Sequence, residues 1–267
     1  MDKILLFIPM YNCKKQIVRV LDQINEKNES YLSGIIIVNN RSTDNGEEVV
    51  TDYIKKRKFK IPVKLLRNDE NYNLGGSHKV AFNYAVKNHY DYVIVLHGDD
   101  QGNFNDIVPI LESEEYKNHD CMLGSRFMKG SKLGGYSKFR TFGNRVYNIM
   151  FTIFLGKRIR DLGSGLNMYK TKILKDNFYH KYPDRLTFNC YMLLAHKYYK
   201  HNIKFFPITW REDDQVSNVK MFSQAMITIK LVLAFFFKRG KYLNSELREK
   251  KVKKYTAEVV YQNKEAK

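Results

Sequence analysis

From Ile4 to Gln101 the chain alternates four short apolar runs with longer segments of helical length. The runs lie near Ile4 to Pro9, Gly34 to Asn39, Pro62 to Arg67 and Tyr92 to His97. Their β-branched, unbroken apolar character is typical of strands buried on both faces. Strands that alternate with helices form parallel sheets through right-handed crossovers. The pattern therefore predicts an α/β domain with a mostly parallel central sheet, in which the carboxyl ends of these strands share one edge.

A cluster of polar residues follows each of these strands. The clusters are Met10-Tyr11-Asn12, Asn39 to Asp44, Asn68 to Asn71 and His97 to Gln101. Ligands of open α/β sheets bind outside the carboxyl ends of the strands, so four clusters at one edge predict a binding crevice there. The last cluster contains the paired carboxylates Asp99 and Asp100, which either bind a hard divalent cation or cap the next helix.

The formal net charge is +18, from 46 lysines and arginines against 28 aspartates and glutamates. Such an excess attracts polyanions, which include nucleic acid, an anionic membrane surface and phosphorylated small molecules. The cations are spread through the chain and form no aromatic-laced stripe, so nucleic acid is not the expected partner. The three cysteines are widely spaced without a C-x-x-C pair, which indicates neither a disulfide framework nor a zinc site and fits a reducing cytosol.

Two common phosphate-binding motifs are missing from the sequence. Pro9-Met10-Tyr11-Asn12 follows the first strand, where a Rossmann-type nicotinamide enzyme has G-x-G-x-x-G, and there is no Walker A motif. The segment Asn71 to Ser77 instead offers two glycines at the start of a predicted helix, where an anion can bind. A nicotinamide enzyme is therefore disfavoured.

The middle of the chain combines strand and helix patterns with glycine-rich loops. A strand is predicted over Asp120 to Ser125, followed by a candidate lid from Gly130 to Tyr136. Arg140 to Gly156 has apolar residues at helical spacing, which predicts an amphipathic core helix with solvated arginines. Asp161 to Gly165 predicts a tight turn beside the site.

The last third is predicted to contain a helix over Leu186 to Tyr199, a strand over Ile203 to Trp210 and an apolar helix over Met221 to Phe237. The apolar helix is shorter than the ~20 residues that span a bilayer, so an interfacial or core helix is expected. The basic tail from Lys238 is expected to be solvated, although basic residues after an apolar helix also fit a membrane-surface contact.

Seven segments, in their order and spacing, resemble the motifs of the inverting family-2 nucleotide-sugar glycosyltransferases of the GT-A fold. The resemblance is greatest to the polyprenyl-phosphate and dolichyl-phosphate sugar transferase branch, and it covers Leu5 to Lys220. The matching segments are Pro9-Met10-Tyr11-Asn12, Val38 to Asp44, Asn73-Leu74-Gly75-Gly76, His97 to Gln101, Gly124-Ser125-Arg126, Asp161 to Gly165, and Arg211 with Ser217 and Lys220.

The resemblance implies a sugar donor activated by UDP, GDP or a similar nucleotide. The positions implied to bind this donor are Pro9, Tyr11, Asn12, Asn40, Asp44, Gly75, Gly98, Asp99 and Arg126. Asp99 is implied to hold Mn²⁺ or Mg²⁺, which would neutralise the charge that develops on the leaving diphosphate. Gln101 is implied to contact the sugar or the surroundings of the metal.

Two positions depart from the family pattern. His97 stands in place of the first acid of the metal motif, and Asn39-Asn40 stands in place of the usual acidic pair. His97 is therefore either a second metal ligand or a packed core residue. Mn²⁺ accepts an imidazole nitrogen more readily than Mg²⁺ does.

The acceptor decides whether a general base is needed. An alcohol must lose a proton to a base, and the carboxylates near the site that could accept it are Asp213, Asp214, Glu212 and Asp161. The predicted catalytic residues are Asp99, Gln101, Asp213 and Asp214. A lipid phosphate is already ionised near neutral pH and needs no base. The positions predicted to bind the acceptor are Arg140, Arg145, Ser164, Arg211 and Lys220.

These inferences divide the chain into a glycosyltransferase domain and a C-terminal segment. The domain is expected over 1–220, with a nucleotide-binding half (1–104) and an acceptor-binding half (105–220), and an amphipathic helix with a basic tail is expected over 221–267. The expected activity is metal-assisted sugar transfer to a lipid-linked or cell-surface glycan acceptor, in the cytoplasm or peripherally on the inner face of the membrane.

Two other functions remain open at this level. A nucleotidyltransferase would also bind metal and nucleotide at these strand ends, but it should have a glycine-rich basic loop that Pro9 to Cys13 does not supply. A non-catalytic protein that uses a transferase scaffold to bind nucleic acid or a membrane is the second alternative, which the departures at Asn39, Asn40 and His97 leave open.

Overall fold

A computed structural model describes residues 2–212 and 221–263, with the backbone alone over 221–225. The strands in this part are β1 (Ile4–Met10), β2 (Gly34–Asn39), β3 (Val63–Asn68), β4 (Tyr92–Leu96), β5 (Cys121–Ser125), β6 (Lys132–Gly134), β7 (Leu166–Lys170), β8 (Ile203–Pro207), β9 (Thr209–Arg211) and β10 (Ala257–Gln262). The α-helices are α1 (Lys14–Asp22), α2 (Glu26–Glu29), α3 (Gly46–Lys56), α4 (Asn73–Lys87), α5 (Val108–Glu112), α6 (Lys138–Leu155), α7 (Phe188–Tyr198) and α8 (Met221–Leu243).

One eight-stranded sheet runs through the protein in the order β10-β3-β2-β1-β4-β7-β5-β8. The pairs β1–β2, β2–β3, β1–β4 and β5–β8 are parallel, whereas β7 and β10 run antiparallel to their neighbours. The predicted α/β fold with a mostly parallel central sheet is therefore confirmed.

β1 illustrates how the sheet separates two apolar cores. All seven residues from Ile4 to Met10 are buried, and successive side chains of a strand point to opposite faces. Leu5 and Phe7 pack in the cluster that includes residues of α4, α7 and α8, whereas Leu6 and Ile8 pack in the cluster that includes residues of α1 and α3. An unbroken apolar run is what such a two-sided environment requires.

The antiparallel direction of β7 brings a second loop to the candidate site. Leu96, at the carboxyl end of β4, pairs with Leu166, at the amino end of β7. The turn Asp161 to Gly165 precedes Leu166, so it lies at the same sheet edge as the loop after β4. A parallel β7 would have placed this turn at the opposite edge.

The basic tail contributes an edge strand. β10 pairs antiparallel with β3, from Ala257 opposite Asn68 to Gln262 opposite Lys64. The ring of Tyr255, just before β10, packs edge to face on that of Tyr72 with their centroids 5.3 Å apart. Main-chain pairing therefore orders this segment of the tail at the sheet edge, which a basic composition does not reveal, while Glu258, Val259 and Gln262 stay exposed to solvent.

The environment of α6 also differs from the prediction. Phe139, Phe142, Ile149 and Ile153 are 60–73% exposed, while the buried residues of this helix lie on its other face. The prediction that the apolar residues of α6 pack in the core is wrong for this face, because helical spacing shows which residues share a face and not what covers it. Within the described residues, no helix is long and apolar enough to cross a membrane.

Lys79 on α4 connects three distant segments inside the protein. Its side chain is 0% exposed, and its Nζ donates to Asp184 Oδ1 at 2.6 Å, to the Tyr182 carbonyl at 2.5 Å and to the Tyr255 hydroxyl at 3.1 Å. Three acceptors around a buried ammonium satisfy its hydrogen-bonding capacity. Lys79 therefore ties α4 to the loop before α7 and to the tail.

Replacing Lys79 should change how stability depends on pH. Burial lowers the pKa of Lys79 from 10.5 to about 8, with Asp184 opposing part of this effect. Between these values the unfolded chain binds more protons than the folded chain, so this lysine makes stability rise with pH. From about pH 8 to about pH 10, the free energy of unfolding should rise by about 2 kcal/mol more in the wild type than in Lys79→Met.

Urea denaturation over this pH range measures the difference. Lys87→Met, at the exposed end of the same helix, is the matched control and should follow the wild type at every pH. A constant difference between wild type and Lys79→Met would mean that the pKa of Lys79 is not lowered.

Candidate active site

The loop after β4 is locked beneath the end of β1. Gly98 donates its N–H to the Pro9 carbonyl at 3.1 Å, and a Cβ at this glycine would lie 2.7 Å from the same oxygen, so a larger residue would force the strands apart. Asp99 follows, and its Oδ1 accepts the N–H of Gln101 at 3.2 Å. The predicted metal ligand thus has a fixed place beside the end of the first strand.

Asp99 and His97 have environments that suit a divalent cation that would bind together with the nucleotide-sugar donor. Burial raises the pKa of Asp99 to about 6, so its ionised form would be stabilised by a nearby cation. Burial and Arg126 lower the pKa of His97 to about 4, which keeps the imidazole neutral, as a metal ligand must be. Its Nε2 is a buried atom for which the described residues supply no hydrogen-bond partner.

The packing of His97 also matches the alternative of a core residue. Its ring lies 6.1 Å from that of His78 between centroids, and a Cβ at Gly165 would lie 3.0 Å from it. The described residues contain no group of three or more His, Cys, Asp or Glu side chains arranged to hold a metal. A cation held by Asp99 and His97 would therefore need further ligands beyond the His, Cys, Asp and Glu side chains of the described residues.

Asp100 is a buried anchor. It is 2% exposed and adopts a left-handed backbone with φ 60°, and its carboxylate accepts hydrogen bonds from Arg19 Nε at 2.5 Å and Gln23 Nε2 at 3.0 Å. Arg211 also bonds this carboxylate, and its Nε donates to the Asp100 carbonyl at 2.7 Å. Asp100 therefore joins the loop after β4 to α1 and to the end of β9.

The ends of β1 and β2 meet where the nucleotide was predicted. Asn12 donates its N–H to Ser42 Oγ at 3.1 Å and accepts the N–H of Thr43 at 2.8 Å. Asp44 accepts the N–H groups of Lys14 at 2.7 Å and of Gly46 at 3.1 Å, which are the first residues of α1 and α3. This carboxylate thus caps two helix N-termini.

Two residues that were predicted to bind the nucleotide, Tyr11 and Asn40, differ in their exposure. Tyr11 is 52% exposed at this edge, so its ring is accessible for stacking on a base. Asn40 is buried, and its side chain makes three hydrogen bonds: its Nδ2 donates to Asn71 Oδ1 at 2.8 Å, and its Oδ1 accepts from Asn68 Nδ2 at 2.9 Å and from the N–H of Tyr72 at 2.8 Å. Asn40 shapes the crevice by holding the ends of β2 and β3 together.

The glycine segment at the start of α4 is used for packing. Gly75 donates its N–H to the Asp184 carbonyl at 2.6 Å, so this donor is already occupied. The predicted role of Gly75 in holding a donor phosphate stays a prediction, and any such contact would come from other groups of the segment.

Arg126 forms a bidentate pair with Asp161. Its Nε and Nη2 donate to the two carboxylate oxygens at 2.8 Å each, and its backbone N–H donates to Oδ2 at 2.9 Å. Its guanidinium also lies 5.0 Å from the ring centroid of Trp210. This pairing favours Asp161 as the anchor of Arg126 over Asp161 as a general base.

The described acceptor-binding candidates are one buried serine, which supports a turn, and three arginines. Ser164 is 1% exposed and donates to the Leu166 carbonyl at 3.1 Å, so its hydroxyl supports the turn. Arg140 pairs with Glu212, Arg211 pairs with Asp100 while 46% of its side chain is exposed, and Arg145 is exposed on α6. Asp213, Asp214 and Lys220 lie outside the described residues.

A small second sheet connects the candidate lid to the site. β6 and β9 pair in parallel, with Leu133 opposite Trp210. The N–H of Arg211 donates to the Gln101 carbonyl at 3.0 Å, and the N–H of Glu212 donates to the Gly134 carbonyl at 3.1 Å. The loop after β4, the glycine-rich loop and β9 therefore form one hydrogen-bonded unit.

The sequence analysis missed Arg19 and Gln23. Both residues lie one helical turn apart at the end of α1 and bind Asp100. A signal was present in the paired carboxylates after β4, because a carboxylate that becomes buried needs a cation. The identity of that cation is not a local property of the sequence.

Comparison with known proteins identifies relatives over most of the chain. The family model described as "Glycosyl transferase family 2" matches residues 6–178, which is more than half of the chain. An uncharacterised protein of Methanocaldococcus jannaschii is 29% identical over 173 residues, covering 63% of this chain and 72% of that protein. A dolichyl-phosphate β-glucosyltransferase of Trichomonas vaginalis is 23% identical over 247 residues, covering 87% of this chain and 71% of that protein.

Solved structures show the same architecture. Glucosyl-3-phosphoglycerate synthase from Mycobacterium tuberculosis, solved with Mn²⁺, UDP-glucose and phosphoglyceric acid, superposes with a TM-score of 0.56 at 11% identity, covering 89% of this chain and 79% of that one. S. aureus TarS in complex with UDP superposes with a TM-score of 0.57 at 19% identity, covering 87% of this chain and 65% of that one. These likenesses support the GT-A glycosyltransferase fold.

Proposed function

Because the chain belongs to glycosyl transferase family 2, we propose that it transfers a sugar, with inversion, from a UDP- or GDP-linked donor to a lipid-linked or cell-surface glycan acceptor. The observation that carries the proposal is the position of Asp99, which lies at the carboxyl end of β4 and is held against the end of β1 through Gly98 and Pro9. Donor and acceptor sites of open α/β sheets lie at this edge.

A divalent cation is part of the proposal. When bound, Mn²⁺ or Mg²⁺ would act as a Lewis acid on the diphosphate leaving group. Asp99 would hold the cation, and His97 would add a neutral nitrogen ligand. Tyr11 would stack on the base, and Gln101, whose backbone N–H bonds Asp99, would face the sugar.

The cations at the site suit a phosphorylated acceptor. Arg145 is exposed on α6, 46% of the Arg211 side chain is exposed although its guanidinium pairs with Asp100, and Arg140 lies at the start of α6 beside Glu212. A lipid phosphate would be bound by such groups and would need no general base, because it is already ionised. A relative whose name describes transfer to dolichyl phosphate supports this acceptor class. We place the reaction at the cytoplasmic face of a membrane.

Nucleotide binding can be tested before the acceptor is known. In a thermal-shift panel of UDP, GDP, UDP-glucose and GDP-mannose, one nucleotide family should raise the Tm in the presence of Mn²⁺. A ligand at 100 times its Kd stabilises the native state by about 2.7 kcal/mol, which corresponds to roughly 5–10 °C. Asp99→Asn should lose the metal-dependent part of the shift and retain the part due to nucleotide alone.

Two controls give this panel its meaning. ATP with Mn²⁺ represents nucleotidyl transfer and should give a smaller shift than the preferred sugar nucleotide. If neither UDP nor GDP compounds raised the Tm, with or without metal, the proposed donor class would be wrong.

A further inference from the structure

α6 carries a row of exposed apolar side chains on one face. The row, named the α6 stripe, consists of Phe139 (72% exposed), Phe142 (67%), Val146 (46%), Ile149 (60%) and Ile153 (73%). Spacings of three and four residues place all five on one side of the helix. A contiguous apolar surface of this kind on a soluble domain marks a binding surface.

α8 extends the stripe. The ring of Phe154, next to Ile153, packs edge to face on that of Phe236 in α8 with their centroids 5.6 Å apart. Phe236 is 45% exposed, and its neighbour Phe237 is 77% exposed. The apolar surface therefore spans two helices that contact each other.

The two helical segments that carry this surface are basic. The segments 138–160 and 221–243 contain lysines and arginines but no aspartate or glutamate. The exposed cations in their described parts are Lys138, Arg145, Arg158, Lys230, Lys238, Arg239 and Lys241. An apolar helix face accompanied by cations is typical of helices that lie in the interface of an anionic bilayer.

The same charges disfavour a second copy of the chain as the occupant. In a two-fold contact the same surface patch is present on both subunits, so the cations beside the stripe would meet cations. Like charges brought together in this way oppose association. An anionic bilayer offers an apolar interior for the stripe and the opposite charge for its flanks.

The stripe lies next to the acceptor half of the candidate site. Arg140, beside Phe139, pairs with Glu212, which follows β9. Further along α6, Asn148 Nδ2 donates to the Arg160 carbonyl at 2.7 Å, immediately before Asp161. A partner surface that binds the exposed face of α6 would therefore lie close to the predicted acceptor-binding residues.

We propose that the α6 stripe, with Phe236 and Phe237, docks on the surface of an anionic lipid bilayer without crossing it. This inference deepens the proposed function and rests on it only for the lipid acceptor. The docked helix holds the acceptor half of the site at the level of the lipid headgroups, where a lipid-linked phosphate is accessible.

Vesicle co-sedimentation of the full chain tests the proposal. Vesicles of phosphatidylcholine with about 30% phosphatidylglycerol should bind the protein, vesicles of phosphatidylcholine alone should bind it much less, and salt should weaken binding. Phe139→Ser/Ile153→Ser should lower the affinity at least tenfold. Val259→Ser changes an apolar residue that is 52% exposed on β10, and it should bind like the wild type.

A second pair of variants tests the charges. Lys238→Glu/Lys241→Glu should weaken binding to the anionic vesicles at least tenfold. Lys58→Glu/Lys87→Glu makes the same change in net charge at exposed lysines outside α6 and α8, and it should have a much smaller effect. Equal effects of the two variants would mean that binding depends on net charge alone, which would contradict a defined docking face.

A direct contact measurement does not depend on removing apolar residues. Phe142→Trp replaces one exposed aromatic residue by another, and its fluorescence should be quenched by brominated lipids more than that of the wild type, whose Trp210 is buried. Absence of added quenching in vesicle-bound protein would overturn the proposal. So would a wild-type dimer that dissociates on Phe139→Ser/Ile153→Ser while no form binds vesicles.

These vesicles contain neither a nucleotide sugar nor a sugar acceptor. Failure of docking would therefore leave the proposed transfer reaction intact, with a soluble acceptor. Failure of the nucleotide panel would equally leave the lipid contact intact.

Discussion

Asp99→Ala is expected to lower the rate of sugar transfer by about 10²–10³-fold, a loss typical of removing one group that stabilises charge in a transition state. Asp99 is proposed to hold the cation at this sheet edge, whereas the neighbouring Asp100 is an anchor that pairs with Arg19 and Arg211. Release of UDP or GDP from the donor that gives the largest thermal shift, with a lipid phosphate supplied as the sugar acceptor, measures the rate.

The control for this variant is the same substitution at an exposed aspartate outside the site. Asp52→Ala deletes a carboxylate whose side chain is 57% exposed on α3, and it should keep wild-type turnover. EDTA should abolish the activity of the wild type, and added Mn²⁺ should restore it. Full turnover by Asp99→Ala with every accepted donor would show that Asp99 is not the central group of the site.

Replacing Arg19 and Arg211 together by methionine is expected to destabilise the protein by about 3–5 kcal/mol, the range for leaving a buried charge unpaired. The Asp100 side chain is 1% exposed, and Gln23 would then be its remaining side-chain partner among those described above. The midpoint of thermal unfolding should fall by roughly 10 °C. Calorimetry or urea denaturation near neutral pH measures the change.

A compensating variant separates the charge from the packing. Adding Asp100→Asn to the double variant removes the uncompensated charge, and asparagine tolerates the left-handed backbone at this position, so part of the stability should return. Lys27→Met/Lys60→Met removes two cations from exposed ion pairs and should leave the unfolding midpoint unchanged. Wild-type stability of the Arg19 and Arg211 double variant would show that Asp100 does not depend on these cations.

Local sequence pattern was sufficient to predict the central strands and the polar residues that follow them. The predicted strand Gly34 to Asn39 has the observed bounds, and the predicted strand Tyr92 to His97 ends one residue later than β4. Strands buried on both faces require continuous apolar runs, and the polar residues that follow them are set by adjacent positions in the chain. The family resemblance, confirmed by the match over residues 6–178, used the same local segments.

Predictions that depended on distant partners were less accurate. The expected strand Ile203 to Trp210 divides into β8 and β9 because the second part pairs with β6 in another sheet. The role of Asp100 depends on Arg19 and Arg211, which lie 81 and 111 residues away in the chain. No window of sequence around Asp100 contains these partners.

The sequence by itself determined the α/β class, the sheet edge at which the polar clusters meet and Asp99 as the residue to test first. The first two follow from short-range spacing, because strand burial and turn chemistry depend on neighbouring residues, whereas the choice of Asp99 over Asp100 came from the resemblance to the motifs of the family. The tertiary structure alone decided that Asp100 is an anchor, that the basic tail forms β10 and that the apolar face of α6 is exposed. These outcomes depend on which distant surface covers a side chain, and that is settled only when the whole chain has packed.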